Sequence, residues 1–349
     1  MTPEPLPSSE PRSPGPDWRW RLGCAVWSYP GWVGSVYPPK TSGQQALRCY
    51  GDRFWAVEGN TTFYGVPSAE TVRRWGTLVP DGFQFCLKMP RDITHMGPLV
   101  DRLPAALAFA ERAGELGDRR GPIFAQLPPS YGPKQAQDLR EFLALWRRST
   151  NAPLALEVRH REWFLPQWRD RLNQWLREWD VGRVVLDTRP IYRDIDLTRA
   201  DPQAQSQRRK PELPLHACVT ADYALVRFIS HPEPERNQAY LQEWCDRLVR
   251  WFERGIRVYF FVHCPIEDHS PHTARALQAL LEPAVAAAGF AIAPLPWNQL
   301  SDSPAISSAT PTSLLDLLDG DWVDGDRPSS AVTPTEPKRR TAKRSERDD

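Results

Sequence analysis

The feature that most constrains this chain is a regular alternation of short apolar segments with longer amphipathic ones. The short segments are rich in Val, Leu, Ile and Phe and end at turn residues or helix starts, which predicts β-strands. The eight predicted strands are Leu22–Trp27, Ala56–Asn60, Phe83–Lys88, Ile123–Leu127, Leu154–Arg159, Arg183–Asp187, Leu225–Ile229 and Val258–His263. The amphipathic segments between them predict helices at Ala69–Leu78, Pro104–Leu116, Lys134–Arg148, Pro166–Trp179, Gln238–Arg254 and Thr273–Ala288, with a weaker one at Gly43–Phe54.

Strands that alternate with helices predict a parallel sheet whose strands are joined by crossover helices. Closure into a (β/α)8 TIM barrel is the simplest α/β architecture for eight such units, and we place it at about residues 18–300. Residues 1–17 are rich in Pro and Ser, and residues 301–349 are mostly polar with a basic end, so both tails are predicted to be disordered. Residues 190–220 form a polar insertion, which is either a lid over a pocket or a disordered loop.

Composition limits the compartment and the partners. The formal net charge is +1, so nucleic acid is not the expected partner. The six cysteines contain no CxxC pair, which is typical of reduced thiols in a cytosolic protein. The N-terminal residues lack the apolar stretch of a signal peptide, and no apolar run reaches transmembrane length. We therefore predict a cytoplasmic protein that does not contact membranes.

Side chains alternate between the two faces of a strand, so each strand presents one face to the helices and one to the barrel interior. One parity is apolar and suits the face toward the helices: Val57, Phe85, Leu87, Ile123, Leu127, Leu156, Val158, Val184, Leu186, Val226, Phe228, Phe260 and Val262. The opposite parity carries Trp27, Glu58, Asn60, Lys88, Gln126, Glu157, Arg159, Asp187, Arg227 and His263. Nearly all of the polar ones lie at C-terminal strand ends, where TIM barrels have their active sites. The alternative is an ion-pair layer that only closes the barrel.

These residue types indicate acid–base chemistry on an anionic or sugar-like small molecule. Arginine and lysine bind carboxylates and phosphates, whereas carboxylates and histidines transfer protons. The candidate catalytic residues are Glu58, His95, Glu157, Asp187 and His263. The candidate substrate-binding residues are Trp27, Asn60, Tyr64, Lys88, Gln126, Arg159 and Arg227. Aromatic residues after the first two strands either form a wall for a ring to stack on or pack the loops onto the barrel.

No cofactor is expected. The sequence contains neither GxGxxG nor GxxxxGK[ST], so nothing local supports a nucleotide cofactor. Histidines and carboxylates are available for a metal, but there is no HExxH, and three cations in the same layer oppose a multinuclear site.

Several motifs together resemble one family. They are Trp27-Ser28-Tyr29 with Trp32 and Tyr37-Pro38, Glu58-Gly59-Asn60-Thr61-Thr62-Phe63-Tyr64, Ile93-Thr94-His95, Gln126-Leu127-Pro128-Pro129 and Glu157-Val158-Arg159-His160 with Trp163. The combination resembles the YecE-like family, catalogued as domain of unknown function 72. The resemblance implies a TIM barrel and implies no particular reaction. Gly59 stands where that family often has an apolar residue, and His231 and His263 stand where many members differ.

Three functions are consistent with these patterns. The first is an enzyme that uses acid–base chemistry on an anionic or sugar-like molecule. The second is a metal-dependent phosphodiesterase or nuclease, which rests on analogy with other barrels alone. The third is a barrel that binds or senses a ligand without catalysis.

Overall fold

The computed structural model describes residues 19–192 and 210–299, and these form an eight-stranded parallel barrel. The strands are β1 (Trp20–Cys24), β2 (Ala56–Gly59), β3 (Gln84–Leu87), β4 (Ile123–Gln126), β5 (Leu154–Glu157), β6 (Gly182–Asp187), β7 (Tyr223–Ile229) and β8 (Arg257–His263). Their order is β3-β2-β1-β8-β7-β6-β5-β4. Short bridges between Lys88 and Phe124 and between Phe85 and Arg120 bring β3 and β4 together. The predicted TIM-barrel fold is confirmed.

Helices surround the barrel where the amphipathic segments predict them. They are α1 (Gly43–Gly51), α2 (Ala69–Thr77), α3 (Arg91–Thr94), α4 (Leu103–Gly114), α5 (Ala136–Ser149), α6 (Pro166–Glu178), α7 (Arg189–Tyr192), α8 (Gln238–Glu253) and α9 (Ser270–Ala287). The short helices α3 and α7 have too few residues to show a helical period in the sequence. Within residues 19–192 and 210–299, no helix has the length and apolar character that crossing a bilayer requires.

Two apolar layers form the core. The smaller layer fills the barrel interior and consists of Ala56, Cys86, Phe124, Ala155, Val184, Tyr223, Leu225, Tyr259 and Phe261. The larger layer lies between the strands and the helices, and it contains nearly all of the residues whose parity predicts that position. Burial on both faces is what a parallel sheet covered by helices requires.

Strand β6 has the opposite orientation to the predicted one. Val184 lies in the barrel interior, whereas Val185 packs in the layer toward the helices. Leu186 packs with Ile191, Leu213 and Ile229 at the C-terminal end of the barrel. The prediction failed because Val184, Val185 and Leu186 are all apolar, so Asp187 was the one residue that indicated which face points inward. In the structure Asp187 pairs with residues on the helix side of the strand.

Strand β1 also departs from its predicted bounds, because it begins and ends earlier than Leu22–Trp27. The amide of Cys24 donates to the Tyr50 hydroxyl at 2.6 Å, and the strand ends at this residue. Trp27 therefore lies beyond the strand, and strand parity no longer fixes the direction of its side chain.

The predicted insertion at 190–220 is described only in part, because residues 193–209 and both predicted tails lie outside the described residues. Residues 211–220 have no helix or strand and run from the C-terminal end of the barrel back to the start of β6, where the Thr220 hydroxyl donates to the Val181 carbonyl oxygen at 2.7 Å. Leu213 packs against Leu186 and Ile229, and the Thr188 hydroxyl donates to the carbonyl oxygen of Pro211 at 3.2 Å. This end of the insertion is therefore attached to the rim next to β6 and β7.

The close passage of β1 and β2 predicts a strict requirement for glycine at position 23. A Cβ atom there would lie 1.8 Å from the Ala56 carbonyl oxygen. Gly23→Ala must push the strands apart, and we expect a loss of 1–3 kcal/mol or more, on the order of other overpacked cores. Urea unfolding measures the loss.

The matched control is Gly43→Ala at the start of α1, where the nearest atom to the new Cβ is Ser28 Oγ at 4.0 Å. This variant should stay within about 0.5 kcal/mol of the wild type. Equal losses in the two variants would contradict the packing argument.

Candidate active site at the barrel mouth

The C-terminal ends of the strands carry a buried polar layer that points into the barrel. On six strands, the residue two positions after the last apolar interior residue is polar and points the same way. These residues are all less than a tenth exposed, and they are Glu58, Lys88, Gln126, Glu157, Arg227 and His263. We call this set the barrel mouth. The sequence predicted every one of these residues to face inward, and the structure brings them together.

Arg227 is the centre of the layer and joins two strands on opposite sides of it. Its Nε and Nη2 donate to the two carboxylate oxygens of Glu58 at 2.8 Å each, and Nη1 donates to Oε2 of Glu157 at 2.6 Å. Bidentate pairing of this kind is the strong form of the arginine–carboxylate interaction. All three guanidinium nitrogens are thus engaged, so the predicted substrate-binding residue Arg227 acts first as the organiser of the layer.

Glu58 has every lone-pair direction used. Oε1 also accepts from Asn60 Nδ2 at 2.8 Å, and Oε2 also contacts His263 Nε2 at 3.1 Å. Burial acts to raise the pKa of Glu58, but Arg227 outweighs it and holds the pKa well below the usual range. Burial, together with the positive charge of Arg227, lowers the pKa of His263 to about 4, so the imidazole is neutral and Nε2 carries the proton donated to Glu58.

Arg159 is the arginine with free donors. Its Nε donates to Glu157 Oε1 at 2.6 Å, and the side chain is 12% exposed. Among the described residues, neither Nη1 nor Nη2 of Arg159 makes a hydrogen bond. Burial acts to raise the pKa of Glu157, but Arg227 and Arg159 lower it to about 2. The ionised Glu157 therefore orients the guanidinium of Arg159 and leaves its terminal fork available.

Lys88 is a buried cation without a carboxylate partner among the residues that the structure describes. Its Nζ lies 4.0 Å from the ring centre of Phe63 and 5.6 Å from that of Phe124. Burial and the neighbouring charges of Arg227 and Arg159 lower the pKa of Lys88 to about 7. The neutral amine of Lys88 is therefore accessible near neutral pH.

His95 lies on the other side of Phe63. The two ring centres are 5.3 Å apart, and the Thr94 hydroxyl contacts His95 Nδ1 at 2.8 Å. Burial and the charge of Lys88 lower the pKa of His95 to about 4. His95 is therefore a neutral, half-buried imidazole at the edge of the barrel mouth.

The predicted inward orientation of Asp187 is wrong. Its Oδ2 accepts from Trp244 Nε1 of α8 at 2.9 Å, which places the carboxylate on the helix side of β6. Both oxygens also accept from the Arg189 guanidinium at 2.9 Å, and Arg189 continues to Glu243. This saturated network ties the end of β6 to α8 and holds Asp187 outside the barrel mouth.

The aromatic candidates are placed differently from one another. Trp27 packs edge-on against Trp75 of α2 and against Phe85, so it belongs to the layer between strands and helices. Tyr64 is 54% exposed and lies beside Phe63 at the rim. Gln126 lies next to Glu157 in the β4–β5 register, and its buried side chain makes no hydrogen bond within the described residues.

His160 and His231, which follow β5 and β7, accept hydrogen bonds from the backbone. Nδ1 of His160 accepts from the amide of Glu162 at 3.2 Å, and Nδ1 of His231 accepts from the amide of Glu233 at 2.9 Å. Both therefore stabilise turns after their strands.

Sequence reasoning missed two charged groups close to the barrel mouth. Lys210 comes from the insertion, and burial and the charges of Arg227 and Arg159 lower its pKa to about 8. Glu267 follows β8 and is fully buried. Burial raises its pKa to about 8, so it holds a proton at neutral pH. Lys210 lies in the predicted polar insertion, whose course the sequence does not indicate, and Glu267 lies beyond the last predicted strand, where parity gives no orientation.

Positive charge exceeds negative charge here. The cations are Lys88, Arg159, Lys210 and Arg227, and the ionised carboxylates are Glu58 and Glu157. Within residues 19–192 and 210–299, no group of three or more His, Cys, Asp and Glu side chains is arranged to hold a metal. The arrangement therefore offers donors to an anion.

The role of Arg227 predicts a stability difference between the two arginines. Arg227→Met leaves two buried carboxylates without their main partner, and we expect a loss of about 3–5 kcal/mol. Arg159→Met should cost less, because Glu157 keeps its bond to Arg227. Urea unfolding at neutral pH measures both, and a larger loss for Arg159→Met would contradict the central position of Arg227.

The unpaired Lys88 predicts that its removal stabilises the fold. Because the folded-state pKa of Lys88 lies below its unfolded value, the unfolded state binds more protons between pH 7 and 10, and wild-type stability rises with pH over that interval. Lys88→Met lacks this dependence. At pH 7 it should be more stable than the wild type by at least ~1.4 kcal/mol, the equivalent of one pKa unit. The advantage should shrink toward pH 9, and a constant or growing advantage would contradict the assigned environment.

Comparison with known proteins places the chain in a family. The profile described as "Protein of unknown function DUF72" matches residues 21–300. The UPF0759 protein YecE of Escherichia coli (strain K12) is 34% identical over 73% of this chain and 90% of its own length. The UPF0759 protein YunF of Bacillus subtilis (strain 168) is 25% identical over 41% of this chain and 52% of its own length.

Solved structures show the same fold. A DUF72 family protein from Thermotoga maritima MSB8 superimposes with a TM-score of 0.56 and 22% identity, covering 75% of this chain and 99% of that one. A DUF72 family protein from Enterococcus faecalis V583 gives 0.55 and 17% identity over 76% and 95%. With a profile match across the whole barrel, this chain belongs to the DUF72 family, which includes the UPF0759 protein YecE.

Proposed function

We propose that this protein is an enzyme that binds a small anionic molecule, a carboxylate or a phosphate, at the barrel mouth and acts on it by proton transfer. The observation that carries the proposal is the terminal fork of Arg159, whose nitrogens other than Nε make no hydrogen bond among the described residues, together with Lys88, on whose pKa the charge of Arg159 acts. A planar fork with two unused nitrogens matches the two oxygens of a carboxylate or phosphate.

The surplus of cations supports the same ligand class. Lys88 and Lys210 both have lowered pKa values because burial and the arginines disfavour their charged forms. A bound anion would remove this penalty and raise both pKa values, so the protein gains electrostatic stabilisation when the ligand arrives. A neutral sugar would leave the surplus uncompensated, and the aromatic Trp27 is packed away from the mouth.

The proton-transfer groups differ from those that the sequence favours. Glu58 and Glu157 are ionised and fully engaged with Arg227, Arg159 and Asn60, so in this proposal they position the arginines. The groups free to exchange protons are the amine of Lys88 and the imidazole of His95, which both border Phe63. An amine with a pKa near the working pH is suited to act as a general base.

Anion binding is tested with inorganic phosphate and pyruvate by isothermal titration calorimetry. Arg159→Met should weaken binding at least tenfold, about 1.4 kcal/mol, whereas the control Arg148→Met on the exposed end of α5 should leave it unchanged. Binding that is absent from the wild type, or equal in both variants, would overturn the anion site.

Catalysis is tested separately by a turnover screen over small carboxylates and phosphate esters. We expect at least one to be converted by the wild type and not by His95→Gln or Lys88→Met. If anions bind through Arg159 and none is converted, the enzyme part of the proposal fails and the barrel is a ligand-binding protein.

A further inference from the structure

Lys88 is held by its backbone at a fixed point of the barrel mouth. Its amide donates to the Gly59 carbonyl oxygen at 3.0 Å, and its own carbonyl oxygen accepts from the Thr62 hydroxyl at 2.6 Å. It also forms the bridge to Phe124 that brings β3 and β4 together. The side chain therefore starts from a rigid position and projects inward.

Within residues 19–192 and 210–299, no carboxylate forms an ion pair with the Lys88 amine. Phe63 and Phe124 present ring faces to it. The charged groups that act on it are Arg227 of β7, Arg159 and Glu157 at the end of β5, and Glu58 of β2, while His95 lies beyond Phe63. Both carboxylates are already paired with arginines.

Burial beside two aromatic rings and two arginines disfavours the charged form of the amine, and the pKa of Lys88 is lowered to about 7. A lysine that is desolvated next to other cations is the form of lysine that serves as a nucleophile toward carbonyl compounds.

We propose that Lys88 is a nucleophile that forms a Schiff base with a carbonyl compound whose carboxylate or phosphate is bound by the free fork of Arg159. The proposal rests on the proposed anion site and names its substrate class as anionic aldehydes and ketones, such as 2-oxo acids. Arg159 would orient the anionic end, so that the carbonyl carbon meets the amine.

The step is a condensation that releases water. The lone pair of the neutral Lys88 nitrogen attacks the carbonyl carbon, and the C=O π pair moves to the oxygen. One proton passes from nitrogen to that oxygen and a second comes from solvent hydronium. The oxygen then leaves as water with the C–O bonding pair, while the remaining nitrogen lone pair forms the C=N bond of a protonated imine.

Reductive trapping tests the proposal in the full-length protein. Pyruvate or glyoxylate is added with cyanoborohydride at pH 7, hydride reduces any iminium to a stable secondary amine, and peptide mass spectrometry locates it. We expect Lys88 to be labelled at least tenfold faster than the exposed lysines Lys40 and Lys134, which serve as internal controls. The rate of labelling at Lys88 should reach half of its maximum near pH 7. The rate at Lys134 should still be rising at pH 9.

Two variants separate the nucleophile from the anion site. Lys88→Arg keeps the charge and removes the nucleophilic amine, so the adduct with pyruvate should no longer form at position 88. Arg159→Met should lower the ratio of pyruvate labelling to labelling by the neutral aldehyde propanal at Lys88 at least tenfold. The ratio cancels the rise in the Lys88 pKa that follows from losing the Arg159 charge, because that rise slows both reactions equally.

The outcomes distinguish the two proposals. If Lys88 is labelled no faster than Lys40 and Lys134 while phosphate binds through Arg159, the Schiff base is overturned and the anion site stands. If propanal labels Lys88 rapidly and pyruvate has no advantage that depends on Arg159, the amine is reactive but the assigned substrate class is overturned. If phosphate and pyruvate do not bind, the anion site itself fails.

Discussion

The structure depends on one buried interaction, the clamp of the Arg227 guanidinium on the carboxylates of Glu58 and Glu157. The three side chains come from β7, β2 and β5, so the clamp crosses the barrel rather than joining neighbouring strands. Taking these charges out of water is costly, and such a layer is stable only when the hydrogen bonds are nearly complete. Here Asn60, Arg159 and His263 complete the carboxylate hydrogen bonds.

This clamp leaves positive charge at the barrel mouth that no carboxylate neutralises among the described residues. Because Glu58 and Glu157 are occupied, they cannot neutralise Lys88 or the outer fork of Arg159 as well. An ion-pair layer that only closed the barrel would pair its charges one to one, and this layer does not. The surplus of positive charge next to open donors is therefore the feature that turns a structural layer into a candidate binding site.

Much of this was predictable from strand parity, and the failures have physical causes. For β2, β3, β4, β5, β7 and β8 the alternation was clean, so the inward set from Glu58 to His263 followed from the sequence. In β6 the successive apolar residues Val184, Val185 and Leu186 are compatible with either face of the strand. The predicted orientation therefore rested on Asp187 alone. The sequence contains no sign that Trp244 and Arg189 would hold Asp187 on the helix side.

Other parts of the site lay beyond local patterns. Lys210 reaches the mouth from an insertion whose course depends on the packing of Leu213 over β6 and β7. Glu267 lies in a turn after β8, where parity has ended, and its protonated state follows from complete burial. The lowered pKa of Lys88 likewise depends on its surroundings. It could not be predicted without knowing that Arg227 and Arg159 pair with both nearby carboxylates.

The central claim is that the barrel mouth carries uncompensated positive charge that an anion relieves. Titration of the Lys88 side-chain nitrogen by ¹⁵N NMR measures this most directly, with and without saturating phosphate. The account predicts a pKa near 7 in the free protein and a rise toward the ordinary lysine value when phosphate is bound. An ordinary lysine pKa in the free protein, or no change on adding phosphate, would contradict it.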